Sequence, residues 1–163
     1  VHYDYIARAV DTLPCPVLAN GNVYSAAKAQ KVLEDTGAAG LMIGRGAIRN
    51  PWLFHQIYQT QNGETPFIPK GHDVLNYLKD LFETVRPPSL REHSHVQKMK
   101  KYFNYIGIGI EPSGQFLHHI RRATDAKGLF ALCEEYLDHD RPMPLEPFDL
   151  ELKPRDVLAG EHR

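Results

Sequence analysis

The 163 residues suffice for one ordinary domain or two small ones, and an apolar fraction of 42% is ample for a packed core. Nowhere do the roughly 18 consecutive apolar residues of a membrane span occur, and the first residues lack the charged and apolar regions of a secretion signal, so a soluble, cytoplasmic protein is expected. The formal charge of −1 conceals an uneven distribution: residues 86–127 hold eight Lys/Arg against three Asp/Glu, and residues 128–150 hold one against six.

The chain opens without Met on an amphipathic segment in which Ile6, Val10 and Leu13 recur at helical spacing, which is the expectation for a piece of something longer. Pro14-Cys15-Pro16 breaks that pattern. Val17-Leu18-Ala19 then gives a short apolar run of the kind that forms parallel strands covered on both faces, ended by the turn Asn20-Gly21-Asn22. Ser25 reads as an N-cap, Ala26, Ala29, Val32 and Leu33 as a helical stripe, and Gly37 as its left-handed stop. Leu41-Met42-Ile43 repeats the buried-strand signal and runs into Gly44-Arg45-Gly46. Asn50 is the expected N-cap of the next helix, 52–58, with Pro51 as its first residue.

This αβαβα order with short loops predicts parallel strands joined by crossover helices. Two strands make no stable sheet by themselves, so further strands are expected upstream. Residues 61–71 are rich in Gln, Asn, Gly, Thr and Pro and read as a linker. Beyond them the pattern is helical. A helix over 72–85 stops before Pro87-Pro88, and Ser89 with Glu92 forms a capping-box pattern ahead of the buried stripe Val96, Met99, Phe103 and Ile106. Helices over 113–124 and 127–137 complete a small bundle, and the proline-containing residues 141–163 are expected to form an extended tail.

Asn20-Gly21-Asn22 and Gly44-Arg45-Gly46 both follow consecutive parallel strands, at the strand ends where barrel enzymes place ligands. Glycine lets the backbone approach a bound group and leaves peptide N–H groups free to meet phosphate oxygens, and Arg45 can add a charge-assisted contact. Either motif alone is equally a tight turn. Together, in this order, they point to a phosphorylated ligand between the last two strands of a (β/α)8 barrel. Cys15 and Cys133 belong to no metal-binding spacing and are expected to be two reduced, buried thiols. The pairs His93/His95 and His118/His119 have spacings that do not converge on one metal ion. Trp52 and Phe54 read as packing residues.

The segments Pro16-Val17-Leu18-Ala19-Asn20-Gly21-Asn22-Val23 and Gly40-Leu41-Met42-Ile43-Gly44-Arg45-Gly46-Ala47, followed by Asn50-Pro51-Trp52-Leu53-Phe54, closely resemble the last barrel segments of the tRNA-dihydrouridine synthases. A weaker similarity continues through Met99-Lys100-Lys101-Tyr102-Phe103 and Tyr105-Ile106-Gly107, so that about residues 1–140 are covered. The resemblance implies an α/β chain made of the C-terminal segments of a (β/α)8 TIM barrel and a small all-α bundle: 1–60 as the last βα units, 61–71 as linker, 72–140 as a tRNA-binding domain. It also implies that Asn20, Gly21, Asn22, Gly44 and Arg45 bind the phosphate of FMN. Asn22 replaces the family's usual Asp, and either can stabilise such a turn.

On the helix after Ser89, Arg91, His95, Lys98, Tyr102 and Tyr105 are expected along one face, with Lys101 in the basic segment and Arg121, Arg122 and Lys127 as extensions. On charge alone this is an RNA surface or an ordinary solvated face. The resemblance favours tRNA. It further implies that FMN, reduced by NADPH, delivers hydride to a tRNA uridine and a cysteine supplies the proton. That cysteine lies on a middle barrel loop which neither Cys15 nor Cys133 matches, so no catalytic residue is assigned, and a fragment inactive without its N-terminal barrel segments is expected. Other readings are a different FMN- or phosphosugar-binding barrel enzyme, or a non-catalytic RNA-binding module.

Overall fold

The computed structural model describes residues 1–148, so most of the expected tail lies outside the described residues. The chain is an α/β protein, mostly helical, with one small parallel sheet. Its first half runs α1 (Tyr3–Thr12), β1 (Leu18–Asn20), α2 (Ala26–Thr36), β2 (Gly40–Met42), α3 (Arg45–Arg49) and α4 (Leu53–Gln61). Parallel strands need a crossover, and α2 provides it. Ser25 Oγ accepts the Lys28 N–H at 3.3 Å to start α2, and Gly37 stops it at a φ of 65°. The strands pair as Leu18↔Gly40, Ala19↔Leu41 and Asn20↔Met42. Ala19, Val23, Ala29 and Val32 form a small core between sheet and helix.

Two local expectations are corrected here. The apolar strand runs are not covered on both faces, since Leu18 is 61% and Met42 51% exposed. Nor does Asn50 cap a helix beginning at Pro51. Its N–H closes the unexpected helix α3 on the Gly46 carbonyl at 2.9 Å, and its Oδ1 accepts the Trp52 N–H at 3.2 Å. The Asn-Pro pair therefore makes the corner between α3 and α4, as short Asx side chains do in turns.

The second half comprises α5 (Gly71–Thr84), α6 (Glu92–Ile106), α7 (Gln115–Ile120) and α8 (Ala126–Leu137). The apolar stripe expected on α6 is buried, with Val96, Met99, Phe103 and Ile106 packed among residues of α5, α7 and α8. The Phe103 and Phe116 rings lie 5.9 Å apart at a tilt of 59°, a favourable aromatic geometry. Helix α6 starts without the expected capping box. Arg91 holds the cap position, and Glu92 Oε1 reaches across the bundle to accept the Ala126 N–H at 3.0 Å. Glu92 thereby ties the start of α6 to the start of α8, where Asp125 accepts the Gly128 N–H at 2.7 Å.

Helix α7 is shorter than the expected span 113–124. Its first turn is held by Glu111, whose carboxylate accepts the N–H groups of Ser113 and Phe116, both at 2.8 Å. Burial works to raise that carboxyl's pKa, but these hydrogen bonds and that of the Ser113 hydroxyl outweigh it and hold the group below its usual value. The first residues after 140 pack on the bundle: Lys70 and Pro142 form an antiparallel bridge, and Met143 and Leu145 enter the bundle core. Among the described residues no helix is long and apolar enough to cross a membrane.

Phe103 is fully buried whereas Phe54 is 55% exposed. Urea unfolding should therefore show Phe103→Ala to be destabilised by about 3–5 kcal/mol and Phe54→Ala to remain within about 0.5 kcal/mol of the parent.

Candidate functional site

Because β1 and β2 run parallel with Asn20 opposite Met42, the turns that follow them open on the same edge of the sheet. The first turn has Gly21 at a φ of 148° and Asn22 at 44°. The positive values favour glycine at the first position and are tolerated by asparagine at the second. Tyr3 fixes this turn by donating its hydroxyl to the Gly21 carbonyl at 2.7 Å. In the second turn, a Cβ at Gly46 would lie 2.1 Å from the Val23 carbonyl oxygen, so only glycine lets α3 press against the chain leaving the first turn. A Cβ at Gly44 would meet nothing within 4 Å, because that side of the backbone is open.

Between the turns is a cleft of about 620 Å³, within the range of small-molecule sites, roughly 300–1,000 Å³. Asn20, Gly21, Asn22, Gly44 and Arg45 all line it. The opposite wall comes from the helical half, through Asn104, Tyr105 and Ile108. Two guanidiniums stand in the cleft: Arg45, which is exposed, and Arg49, which is 8% exposed. Arg49 Nε donates to the Tyr105 carbonyl at 2.9 Å, joining α3 to the end of α6. Burial lowers the Arg49 pKa, the nearby Arg45 charge lowers it further, and Tyr24 partly opposes them. Sequence reasoning missed Arg49, Asn104 and the tie through Tyr105. Only the i,i+4 spacing of Arg45 and Arg49 hinted at the first, and it counts only once α3 is known to be a helix.

The candidate RNA residues do not form one face. Arg91 and Lys101 are exposed on α6, and Tyr105 is 36% exposed at the mouth of the cleft. Arg121 donates to Asn104 Oδ1 from Nε at 3.2 Å and from Nη2 at 3.0 Å, and Arg122 donates to the His118 carbonyl at 3.1 Å. Lys98 is half-buried and its ammonium is held by the Val85 carbonyl at 2.9 Å. His95 must be removed from the set. It is fully buried, packs its ring 4.1 Å from that of Phe82, and donates from Nε2 to the Phe82 carbonyl at 2.7 Å. Its spacing to Met99, Phe103 and Ile106 continues the apolar stripe, which outweighs its polarity.

No cysteine lines the cleft. Cys133 is buried as expected, and burial pushes its thiol up to about 12. Cys15 is exposed, against expectation, because the segment between Pro14 and Pro16 runs outside the small core. Among the described residues no group of three or more His, Cys, Asp or Glu side chains converges as metal ligands.

The dihydrouridine synthase (Dus) family model matches residues 1–139, spanning both halves of the chain and both turns. The chain belongs to the dihydrouridine synthase family. Similar curated proteins include a probable tRNA-dihydrouridine synthase of Rickettsia conorii, 30% identical over 76% of this chain and 37% of that protein. One of the same description from Helicobacter pylori is 29% identical over 96% of the chain and 46% of its own length. The tRNA-dihydrouridine synthase B of Pasteurella multocida is 30% identical over 83% of this chain and 41% of that protein. The chain thus spans less than half the length of these relatives.

The contrast between the cysteines is directly testable. Cys15 should react with a thiol reagent in the native state at pH 8, whereas Cys133 should be labelled only after unfolding, because its raised pKa and burial deny it thiolate character.

Proposed function

We propose that this chain is the C-terminal part of a tRNA-dihydrouridine synthase, a flavin-dependent cytoplasmic oxidoreductase that reduces uridines of tRNA. Residues 1–60 are the last βα units of its TIM barrel, 61–71 the linker and 72–140 a tRNA-binding domain. The reading is carried by the cleft in which the two glycine turns meet, within a chain that belongs to the dihydrouridine synthase family. The exposed Leu18 and Met42 side chains fit a sheet that continues into further barrel segments.

The cleft suits the phosphate end of FMN. Gly21 and Asn22 turn the backbone away, Gly44 leaves one side open, and Arg45 brings a positive charge without a counter-ion among the described residues. The first turn of α3 also leaves N–H groups without intrahelical acceptors. Asn20, Gly21, Asn22, Gly44 and Arg45 would hold the phosphate and so fix the position of the rest of the cofactor. FMN, recharged by NADPH, supplies the reducing equivalents for the uridine C5–C6 bond. The proton-donating cysteine that the family resemblance implies matches neither Cys15 nor Cys133, which supports the reading that the chain alone is inactive.

Arg91, Lys101, Arg121 and Arg122 are exposed and can neutralise RNA phosphates, and Tyr105 offers a ring to a base at the mouth of the cleft. Lys98 is less available to RNA than these, because its ammonium already donates to the Val85 carbonyl.

The test uses the complete enzyme. Gly44→Asp combined with Arg45→Ala places a carboxylate where space is open and removes a cation, so the purified protein should lose its flavin absorbance while keeping the parent's far-ultraviolet circular dichroism spectrum. Full flavin retention would overturn the assignment of the cleft.

A further inference from the structure

The cleft contains one more guanidinium than its two turns account for. Arg49 is 8% exposed, and among the described residues it makes no ion pair. Its Nε–H is taken by the Tyr105 carbonyl. The remaining N–H donors of the fork have no acceptor among the described residues, yet none is sealed away from solvent space, because Arg49 lines the cleft. Arg45 stands four residues earlier on α3, so the two cations share a face of the helix, an arrangement that is unfavourable by itself. Burial and the Arg45 charge both disfavour the charged form of Arg49.

A desolvated cation beside a second cation, with no carboxylate, is destabilising unless an anion enters. The fork geometry of guanidinium suits phosphate oxygens, and two forks match a phosphate monoester, which carries close to two negative charges at neutral pH. A phosphodiester carries only one. The carbonyl of Tyr105 fixes the Nε end of Arg49 and leaves its two terminal nitrogens free.

We infer that Arg45 and Arg49 together hold a single phosphate monoester in this cleft, with Arg49 aimed by the backbone of Tyr105. The inference rests on the proposed flavin site and adds to it a phosphate-binding residue outside both turn motifs. It also makes the end of α6 part of the cofactor site, because that helix supplies the carbonyl that orients Arg49.

The experiment titrates FMN and riboflavin, which lacks the phosphate, into the flavin-free complete protein and follows quenching of flavin fluorescence. Arg49→Gln should weaken FMN binding about 10- to 100-fold, the loss expected for one charge-assisted contact, and leave riboflavin binding unchanged. Arg49→Lys, which keeps the charge but not the fork, should retain part of the preference for FMN. An undiminished FMN preference in Arg49→Gln would overturn the inference, and so would equal losses for both flavins, which would make Arg49 a purely structural residue. Loss of tRNA affinity with an intact FMN preference would overturn it as well. Arg45→Ala separates the two levels: if it abolishes the preference while Arg49→Gln does not, the flavin site stands and only the role of Arg49 falls. If neither variant changes the preference, the phosphate reading of the cleft falls too.

Discussion

The parallel pairing of β1 with β2 is the constraint on which the site depends. Parallel strands present their C-terminal ends at the same edge, so the register that puts Asn20 beside Met42 also puts Asn20-Gly21-Asn22 beside Gly44-Arg45-Gly46. An antiparallel pair would send the two motifs to opposite edges. The pairing needs the crossover helix α2, whose Ser25 cap and Gly37 stop set its length, and a buried Ala19 small enough for α2 to lie close. Gly46 completes the arrangement by letting α3 approach the Val23 carbonyl.

Helix α3 has only five residues, yet it connects the two hydrophobic clusters. Arg49 donates to the Tyr105 carbonyl, and the Tyr77 hydroxyl donates to the Ile48 carbonyl at 2.8 Å. Burial raises the Tyr77 pKa, with the nearby Tyr102 adding to it, so this hydroxyl stays a donor well above neutral pH. The helical half is therefore held against the cleft by hydrogen bonds to backbone carbonyls. It contributes Asn104 and Tyr105 to the cleft wall, so the cleft is lined by both halves of the chain.

Much of this was legible in the residues. Local devices that act within a few positions read correctly: the Ser25 cap, the left-handed Gly37, the apolar stripe of α6 and the two glycine turns after short strands. Devices whose partner lies far away did not. Glu92 matched a capping box by spacing but bonds to Ala126, and His95 carried a polar label but lies among core residues on the stripe of α6. Cys15 was expected inside because thiols usually are, but the whole run from Asp11 to Pro16 is exposed. For Glu92 and His95, contacts across the bundle outweighed a local preference.

By itself the sequence determined the alternation of strands and helices apart from α3, the position of the two turns and the family, because these follow from periodicity, glycine placement and motif residues that are contiguous in the chain. Only the tertiary structure decided that the turns share one cleft with Asn104 and Tyr105, that His95 is withdrawn from the surface, and that Arg49 stands beside Arg45. The physical reason is that charge and burial at a site are set by groups brought together across the fold. The partner of Arg49 is 56 residues away along the chain, and no local pattern carries that distance.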